Sequence, residues 1–234
     1  MFVLRRAVLA LIILLFNERE TQAITFSDSA VAAGVAATGL SGGAAFGDYN
    51  ADGWPDLLVT QTGGGQAEAL IYQNTGDGRF ELQPGMLAES GRALGALFVD
   101  LESDGDLDVY LVQNGKENQW FLQVDGSFEL QSEVGGISDA PLSTSALFND
   151  FDGDGRLDLF ATHQFPIGNQ YFTGVLTDHI ADGTELASSL RSGLDSFGAA
   201  ALDYDNDGDQ ASGVYFSRLI SDVGEARRPM VLLR

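Results

Sequence analysis

Short apolar runs along the chain are separated by acidic turns, and the pattern recurs. Apolar runs enter four acidic segments at residues 44–46, 96–99, 146–148 and 199–202, and further runs leave the first three at 57–59, 109–112 and 159–161. Runs of three or four apolar residues bounded by Gly and Asp are typical of β-strands and too short for helices. Each acidic segment is therefore predicted to connect two strands.

Two more strands are predicted in each unit. Aromatic-rich runs follow the second strand at residues 69–72, 119–122 and 170–172. The turns Gly76-Asp77-Gly78 and Asp125-Gly126 then precede an identical Phe-Glu-Leu-Gln at 80–83 and 128–131. Gly and Asp-Gly favour the positive backbone angles of hairpin turns, so these segments are predicted to be third and fourth strands joined by hairpins.

The acidic segments are nonapeptides of one design, spaced by 52, 50 and 53 residues. They are DYNADGWPD from Asp48, DLESDGDLD from Asp100, DFDGDGRLD from Asp150 and DYDNDGDQA from Asp203. This period, with four short strands per unit and no helical periodicity, predicts an all-β fold, a β-propeller of four-stranded blades. About four blades are present, as a small ring or an incomplete propeller. The alternative is a sandwich with acidic turns, which does not require the same loop in every unit.

The two ends of the chain differ from the repeats. Arg5 and Arg6 precede an apolar run at residues 7–16, and Ala23 follows a polar stretch, which is the pattern of a signal peptide at 1–23. The run is too short to span a bilayer, so no stable membrane insertion is expected after cleavage; an uncleaved short anchor is the alternative. The predicted location is secreted, periplasmic or at the cell surface.

Residues 24–210 are assigned to the propeller repeats. Within them, residues 24–27 resemble an outer strand and are predicted to complete the last blade. Residues 211–234 are interpreted as a degenerate or truncated tail with no recognisable third or fourth strand.

Composition restricts the classes of binding partner expected for this chain. The chain is 44% apolar, which supports a globular core, and its net charge of −22 is focused, because 16 of its 34 acidic residues lie in the four nonapeptides. Few basic residues are present, so nucleic-acid binding is not expected. There is no cysteine to form disulfides in an exported protein, and bound metal is the natural substitute.

The nonapeptides have the spacing of calcium loops. Ca²⁺ takes six to eight oxygen ligands, and side chains at positions 1, 3, 5 and 9 converge when Gly at position 6 turns the chain and the carbonyl of position 7 faces inward. The predicted ligands are Asp48, Asn50, Asp52, Asp56 and the carbonyl of Trp54; Asp100, Glu102, Asp104, Asp108 and the carbonyl of Asp106; and Asp150, Asp152, Asp154, Asp158 and the carbonyl of Arg156.

Two alternatives bear on these loops. A helix-loop-helix calcium hand requires Glu at position 12, where this chain has Val59, Leu111, Ala161 and Val214, so it is excluded. An acidic turn that binds no metal remains the alternative for each of the first three loops. In the fourth, Asp203, Asp205 and Asp207 with the carbonyl of Asp209 could bind Ca²⁺, but position 9 is Ala211, so this site is left open.

These segments resemble a known repeat. AAFGD at 44–48, LLV at 57–59 and NTGDGRF at 74–80 look like the FG-GAP or VCBS-type repeat of integrin α heads and of bacterial exported proteins related to cartilage acidic protein. The resemblance covers residues 24 to about 210. It implies a β-propeller, usually of about seven blades, with Ca²⁺ in the hairpin loops; the loop positions match it and Ala211 departs from it.

The function predicted from the sequence is recognition of an extracellular protein or glycan, as in adhesion, with no enzymatic activity. The alternatives are the propeller part of a polysaccharide-degrading enzyme and an inactive fragment. His163 and His179 lie in no nucleophile or paired metal motif, and Trp54 and Trp120 are predicted to be core residues rather than sugar platforms.

Overall fold

The protein is all-β in the computed structural model, and no α-helix occurs among the residues described. Those residues are 25–36, 39–62, 68–88, 90–113, 115–131, 142–151, 153–164, 169–174 and the backbone of 181–182, 214–215 and 231–232. Within these ranges no helix is long and apolar enough to cross a membrane. The predicted signal peptide, the fourth acidic loop and His179 lie outside them.

Three four-stranded sheets stack in series, each a meander of antiparallel strands. Sheet 1 contains β1 Ser41–Gly47, β2 Asp56–Gln61, β3 Ala69–Asn74 and β4 Phe80–Gln83; sheet 2 contains β5 Ala93–Val99, β6 Asp108–Gln113, β7 Gln119–Val124 and β8 Ser127–Gln131; sheet 3 contains β9 Ser143–Asn149, β10 Asp158–His163, β11 Gln170–Thr173 and β12 Ala181–Asp182. This confirms the predicted blades. No ring of sheets is closed within the described ranges.

The hairpins follow the predicted turn chemistry. Asp125 and Gly126 both have positive φ, 51° and 77°, and connect β7 to β8 through a two-residue turn. Gly76 and Gly78 have φ of 78° and 86° before β4. Glycine and aspartate therefore occupy the positions where the chain reverses.

Two of the expectations for the ends need correction. Residues 25–27 form no strand; the chain instead reaches sheet 1 near Ala33, whose carbonyl accepts a hydrogen bond from the Phe80 amide at 2.8 Å. The tail does contain a further strand, because β13 Val214–Tyr215 pairs antiparallel with β14 Val231–Leu232. Strands of two residues carry too little periodicity to be recognised in a sequence.

Apolar side chains fill both spaces between the sheets. Strand β6 divides its residues between them, since Val109 and Leu111 face sheet 1 whereas Tyr110 and Val112 face sheet 3. Tyr110, Trp120 and Phe148 form an edge-to-face aromatic group with centroid separations of 4.7 to 5.8 Å. All six residues of β6 are buried, so sheet 2 is held from both sides.

Glycines in β1 allow the first two sheets to approach closely at their inner strands. A Cβ added to Gly42 would lie 2.7 Å from the Leu94 carbonyl oxygen, and one added to Gly47 would lie 2.8 Å from the Phe98 ring. Glycine is therefore required at these positions of β1, because this strand lies directly against the neighbouring strand β5.

Candidate metal-binding loops

The three described acidic loops connect the first strand of a sheet to the second and share one backbone conformation. Position 6 has positive φ in each loop, 90° at Gly53, 97° at Gly105 and 86° at Gly155, as the sequence predicted. Position 4 has positive φ as well, at Ala51 (55°), Ser103 (56°) and Gly153 (76°). Neither Ala nor Ser signals such an angle in a sequence, so this second turn point was not predictable.

The aspartate at position 1 is the centre of each loop. Its carboxylate accepts hydrogen bonds from the backbone N–H groups of positions 5 and 6, which curl the chain around it. The donors are Asp52 and Gly53 to Asp48 at 3.0 and 2.8 Å, Asp104 and Gly105 to Asp100 at 3.1 Å each, and Asp154 and Gly155 to Asp150 at 3.1 and 2.8 Å. A carboxylate has about four lone-pair sites, so acceptor capacity remains for a cation.

The side chains at positions 3 and 5 hold the next part of the turn. The Asn50 side-chain oxygen accepts from the Asp52 amide at 3.0 Å, and Asp52 accepts from the Trp54 amide at 2.9 Å. In the same way, Asp104 accepts a hydrogen bond from the backbone N–H of Asp106, and Asp154 accepts one from the backbone N–H of Arg156. Glu102 is partly exposed at position 3 of the second loop, and Asp152 lies outside the described residues.

The aspartate at position 9 is buried and fastens the loop to the third strand. One carboxylate oxygen accepts from the backbone N–H of position 2 and the other from the N–H at the end of the third strand. The pairs are Tyr49 and Asn74 on Asp56, Leu101 and Gln123 on Asp108, and Phe151 and Gly174 on Asp158, at 2.7 to 3.3 Å. Asp158 also accepts from the Tyr171 hydroxyl at 2.9 Å. Sequence reasoning gave these residues only as ligands.

Burial perturbs the titration of these aspartates. Desolvation raises the pKa of Asp108 to about 6, against the lowering effect of its two backbone hydrogen bonds and with a further rise from Glu102 and Asp104. Desolvation likewise raises the pKa of Asp56, with Asp52 and Asp48 adding to the rise. Negative charge is therefore costly at these buried positions.

The third loop differs because it carries its own cation. The Arg156 guanidinium at position 7 contacts one Asp154 oxygen through Nε at 3.0 Å and Nη2 at 2.7 Å. This pair lowers the pKa of Asp154. The corresponding residues in the other loops are Trp54 and Asp106, so only this loop of the three described has a positive charge at position 7.

The donor chemistry of the loops fits a hard cation, since the side chains offer only carboxylate and amide oxygens. Among the described residues, however, no group of three or more His, Cys, Asp or Glu side chains is gathered closely enough to hold a metal ion. The carboxylates are turned onto backbone N–H groups instead. A bound cation would have to draw the oxygens of positions 3 and 5 away from those bonds.

The histidine and the two tryptophans discussed from the sequence that lie in the described part of the chain differ in burial. His163 is fully buried in β10, and Trp120 is buried in the aromatic group, which places both in the core. Trp54 is 51% exposed, contrary to the core position predicted for it, and its indole lies against Gly76, where an added Cβ would come within 2.9 Å. Trp54 therefore presents an aromatic surface beside the first loop.

A cleft separates the first two loops. Its volume is about 510 Å³, and it is lined by Tyr49, Asn50 and Gln73 of the first unit and by Asp106, Gln123 and Gly126 of the second, among others. Amide and carboxylate groups predominate over apolar ones at its walls, and no basic residue lines it. The cleft suits a ligand rich in hydrogen-bonding groups rather than an anion.

Comparison with known families supports the repeat. A family model described as FG-GAP-like repeat matches the chain twice, at residues 48–111 and 100–161. Each match begins at position 1 of an acidic loop and ends in or at the second strand of the following sheet. No curated protein matches the chain.

Proposed function

The chain belongs to the FG-GAP-like repeat proteins, and from that premise we propose that it is an exported, calcium-binding β-propeller module whose loop face recognises a protein or glycan. Repeats of this kind form interaction modules of the β-propeller type. We further propose that it acts in adhesion, that it has no enzymatic activity, and that it is related to the bacterial proteins that resemble cartilage acidic protein.

The shared conformation of the three loops carries the calcium proposal. Positive φ at positions 4 and 6 and the same N–H contacts to position 1 recur in loops whose sequences differ at most other positions. A merely acidic turn does not require such agreement. Ca²⁺ would be held by positions 1, 3 and 5, with position 9 and the carbonyl of position 7, and would supply positive charge that removes the repulsion among these carboxylates.

The test is thermal unfolding of the mature chain in Ca²⁺, in Mg²⁺ and in a chelator. One site saturated about hundredfold stabilises by about 2.7 kcal/mol, so three sites are expected to raise the Tm by many degrees in Ca²⁺ and much less in Mg²⁺. Equal melting curves in Ca²⁺ and in chelator would show that the loops are acidic turns that bind no metal.

Single substitutions in the loops test which loops bind Ca²⁺. Asp52→Asn and Asp104→Asn remove a position-5 carboxylate from the first and second loops and are each expected to remove one site in calorimetric titration. Asp106→Asn is the matched control, because it removes a charge from the same loop while position 7 contributes only its carbonyl. Loss of a site in the control as well would point to general electrostatic attraction.

The recognition proposal is supported by Trp54 and by the cleft between the first two loops. Both lie on the loop side of the sheets, and exposed aromatic surface next to polar groups is common in binding sites. Glycan and protein arrays should be probed with the chain and with Trp54→Ala, with Leu82→Ala as an exposed apolar control away from the loops. If a ligand were lost in the Leu82 variant and kept in the Trp54 variant, the binding site would not lie at Trp54 and the cleft.

A further inference from the structure

Two glutamine side chains extend into the space between sheets 1 and 2. Gln73 lies two residues after Ile71 on β3, and Gln123 lies two residues after Phe121 on β7. Alternate residues of a strand share a face, and Ile71 and Phe121 belong to the apolar cluster between these sheets. Both glutamines therefore continue the apolar rows towards the loop side, where they line the cleft of about 510 Å³ between the first two loops.

The side-chain amide of Gln123 is buried without a partner. Gln123 is 6% exposed, and within the part of the chain that the structure describes its Oε1 atom accepts no hydrogen bond. Its backbone N–H donates to Asp108, so the side chain takes no part in that contact. A buried polar group that lacks a partner destabilises the fold, and a leucine of similar size would avoid the loss. The amide is therefore better explained by a ligand than by packing.

The interface between sheets 2 and 3 shows that stacking does not require these amides. Gln123 corresponds to Gly174, because each donates its backbone N–H to the position-9 aspartate of its unit. By the same alignment, which pairs Asn74 with Gln123, Gln73 corresponds to Leu122. Leu122 packs against the apolar cluster between sheets 2 and 3. Of the two described interfaces, the first alone therefore carries glutamine at both positions.

The groups at the walls of the cleft restrict the class of ligand. The amides of Asn50, Gln73 and Gln123 each offer N–H donors and an oxygen acceptor, and a carboxylate is added by Asp106. No basic residue is among the described residues that line the cleft, so an anion would meet only negative charge. An ammonium or guanidinium group is a donor only and would leave the amide N–H groups unpaired. A hydroxyl group both donates and accepts, so a ligand with several neighbouring hydroxyls matches these walls.

We propose that this cleft binds an uncharged saccharide, whose hydroxyl groups bond to Gln73, Gln123 and Asp106. The inference rests on the proposed recognition function and narrows it from a protein or glycan to a neutral glycan at a defined site. The volume of the cleft lies within the range of about 300–1,000 Å³ that is typical of small-ligand sites. A saccharide hydroxyl would supply the partner that the Gln123 amide lacks among the described residues.

Gln123→Leu tests the site, because it removes the amide and keeps the size of the side chain. The full chain in Ca²⁺ is applied to an array of neutral, sulfated and amino oligosaccharides, and the neutral saccharide that binds most tightly is titrated by calorimetry. We expect about tenfold weaker binding in Gln123→Leu and, without saccharide, a Tm equal to or above that of the wild type. Gln131→Leu, the same change on the edge strand β8, should keep the wild-type affinity.

A second variant covers the case in which Gln123→Leu folds poorly. Asp106 is exposed, so Asp106→Ala leaves the packing between the sheets unchanged and is also expected to weaken saccharide binding by about tenfold. Wild-type affinity in Asp106→Ala, or in a well-folded Gln123→Leu, would place the saccharide elsewhere and overturn the proposal. Equal loss in Gln131→Leu would overturn it as well.

The array separates this proposal from the recognition function on which it rests. Binding only to sulfated or amino saccharides, or only to a protein, would overturn the uncharged class. If that ligand were lost in Trp54→Ala, the recognition function would still stand. Absence of binding to every saccharide and protein tested would contradict both.

Discussion

The position-9 aspartates link loop chemistry to sheet stability. Each has both oxygens engaged by backbone N–H groups from two different parts of its unit, and each is buried. A carboxylate that accepts such bonds supports the fold even where no cation is present. In the apo chain this residue is therefore a structural clamp as well as the proposed metal ligand.

Asp108→Asn tests the clamp without metal. The amide would turn its NH₂ group towards one of the two donors, Leu101 N–H or Gln123 N–H, and leave that donor unsatisfied, at a cost of about 1–3 kcal/mol. Urea denaturation in chelator should show this loss. Asp106→Asn, exposed in the same loop, removes the same charge and should cost less than about 0.5 kcal/mol. Equal losses would mean that charge rather than hydrogen bonding is responsible.

The raised pKa of Asp108 gives a pH dependence with a definite sign. Its folded pKa of about 6 lies above the usual value of 3.8, so between these values the folded chain holds more protons than the unfolded chain. The stabilisation is fully present below about pH 4 and is lost as the pH rises through about 6. In chelator, the free energy of unfolding should fall from pH 5 to pH 7 more steeply in the wild type than in Asp108→Asn. Equal slopes in the two proteins would show that Asp108 is ionised throughout this range.

Arg156 should weaken cation binding at the third loop. Its guanidinium lies on Asp154, and two unit charges about 4 Å apart in a solvated loop interact by about 1 kcal/mol, so repulsion between Arg156 and a divalent Ca²⁺ ion is worth about 2 kcal/mol, or about thirtyfold in affinity. Arg156→Met removes the positive charge but keeps a long side chain and the backbone carbonyl of position 7. With the other loops disabled by Asp52→Asn, Asp104→Asn and Asp207→Asn, calcium titration of Arg156→Met should show about thirtyfold tighter binding than the same background with Arg156. Arg79→Met, in an exposed turn before β4, should leave the affinity unchanged.

At the scale of strands, the sequence predicted every strand of sheets 1 and 2, because apolar runs and Asp-Gly turns specify them locally. It predicted four strands in each unit without locating β12 or β14, which are two residues long, and it expected a strand at 24–27, where residues 25–27 form none. In the loops, Gly at position 6 was predictable from its freedom of φ. The clamp of Asp56 on Asn74 was not, because it joins residues 18 apart that only the folded sheet brings together.

Gly42→Ala should weaken the packing of β1 on β5. The added methyl would lie 2.7 to 2.9 Å from backbone atoms of Leu94 and Ala93, which cannot move aside without shifting the strand. We expect a loss of about 1–3 kcal/mol in urea denaturation. Gly95→Ala is the matched control, since its methyl would meet only the Val112 side chain at 3.5 Å. A loss in the control as large as that of Gly42→Ala would indicate a general cost of alanine in these strands.

At the scale of the molecule, the units depend on their neighbours, because apolar clusters are buried between adjacent sheets. Sheet 2 has both faces covered, and β6 is central within it, with all six residues buried. The outer strands β4 and β8 lie at sheet edges, with exposed residues in each. Local opening should therefore be easiest at the outer strands and hardest at the centre of the stack.

Hydrogen exchange measured by mass spectrometry checks this gradient. Amides of β6 should exchange last, through global unfolding, whereas those of β4 and β8 should exchange through local opening at lower free energy. Trp120→Phe, which shrinks the aromatic group against sheet 3, should accelerate β6 and leave β4 at its wild-type rate, because β4 belongs to the sheet on the other side. Exchange of β6 as fast as that of β4 in the wild-type chain would mean that the sheets open independently and that their stacking contributes little to stability.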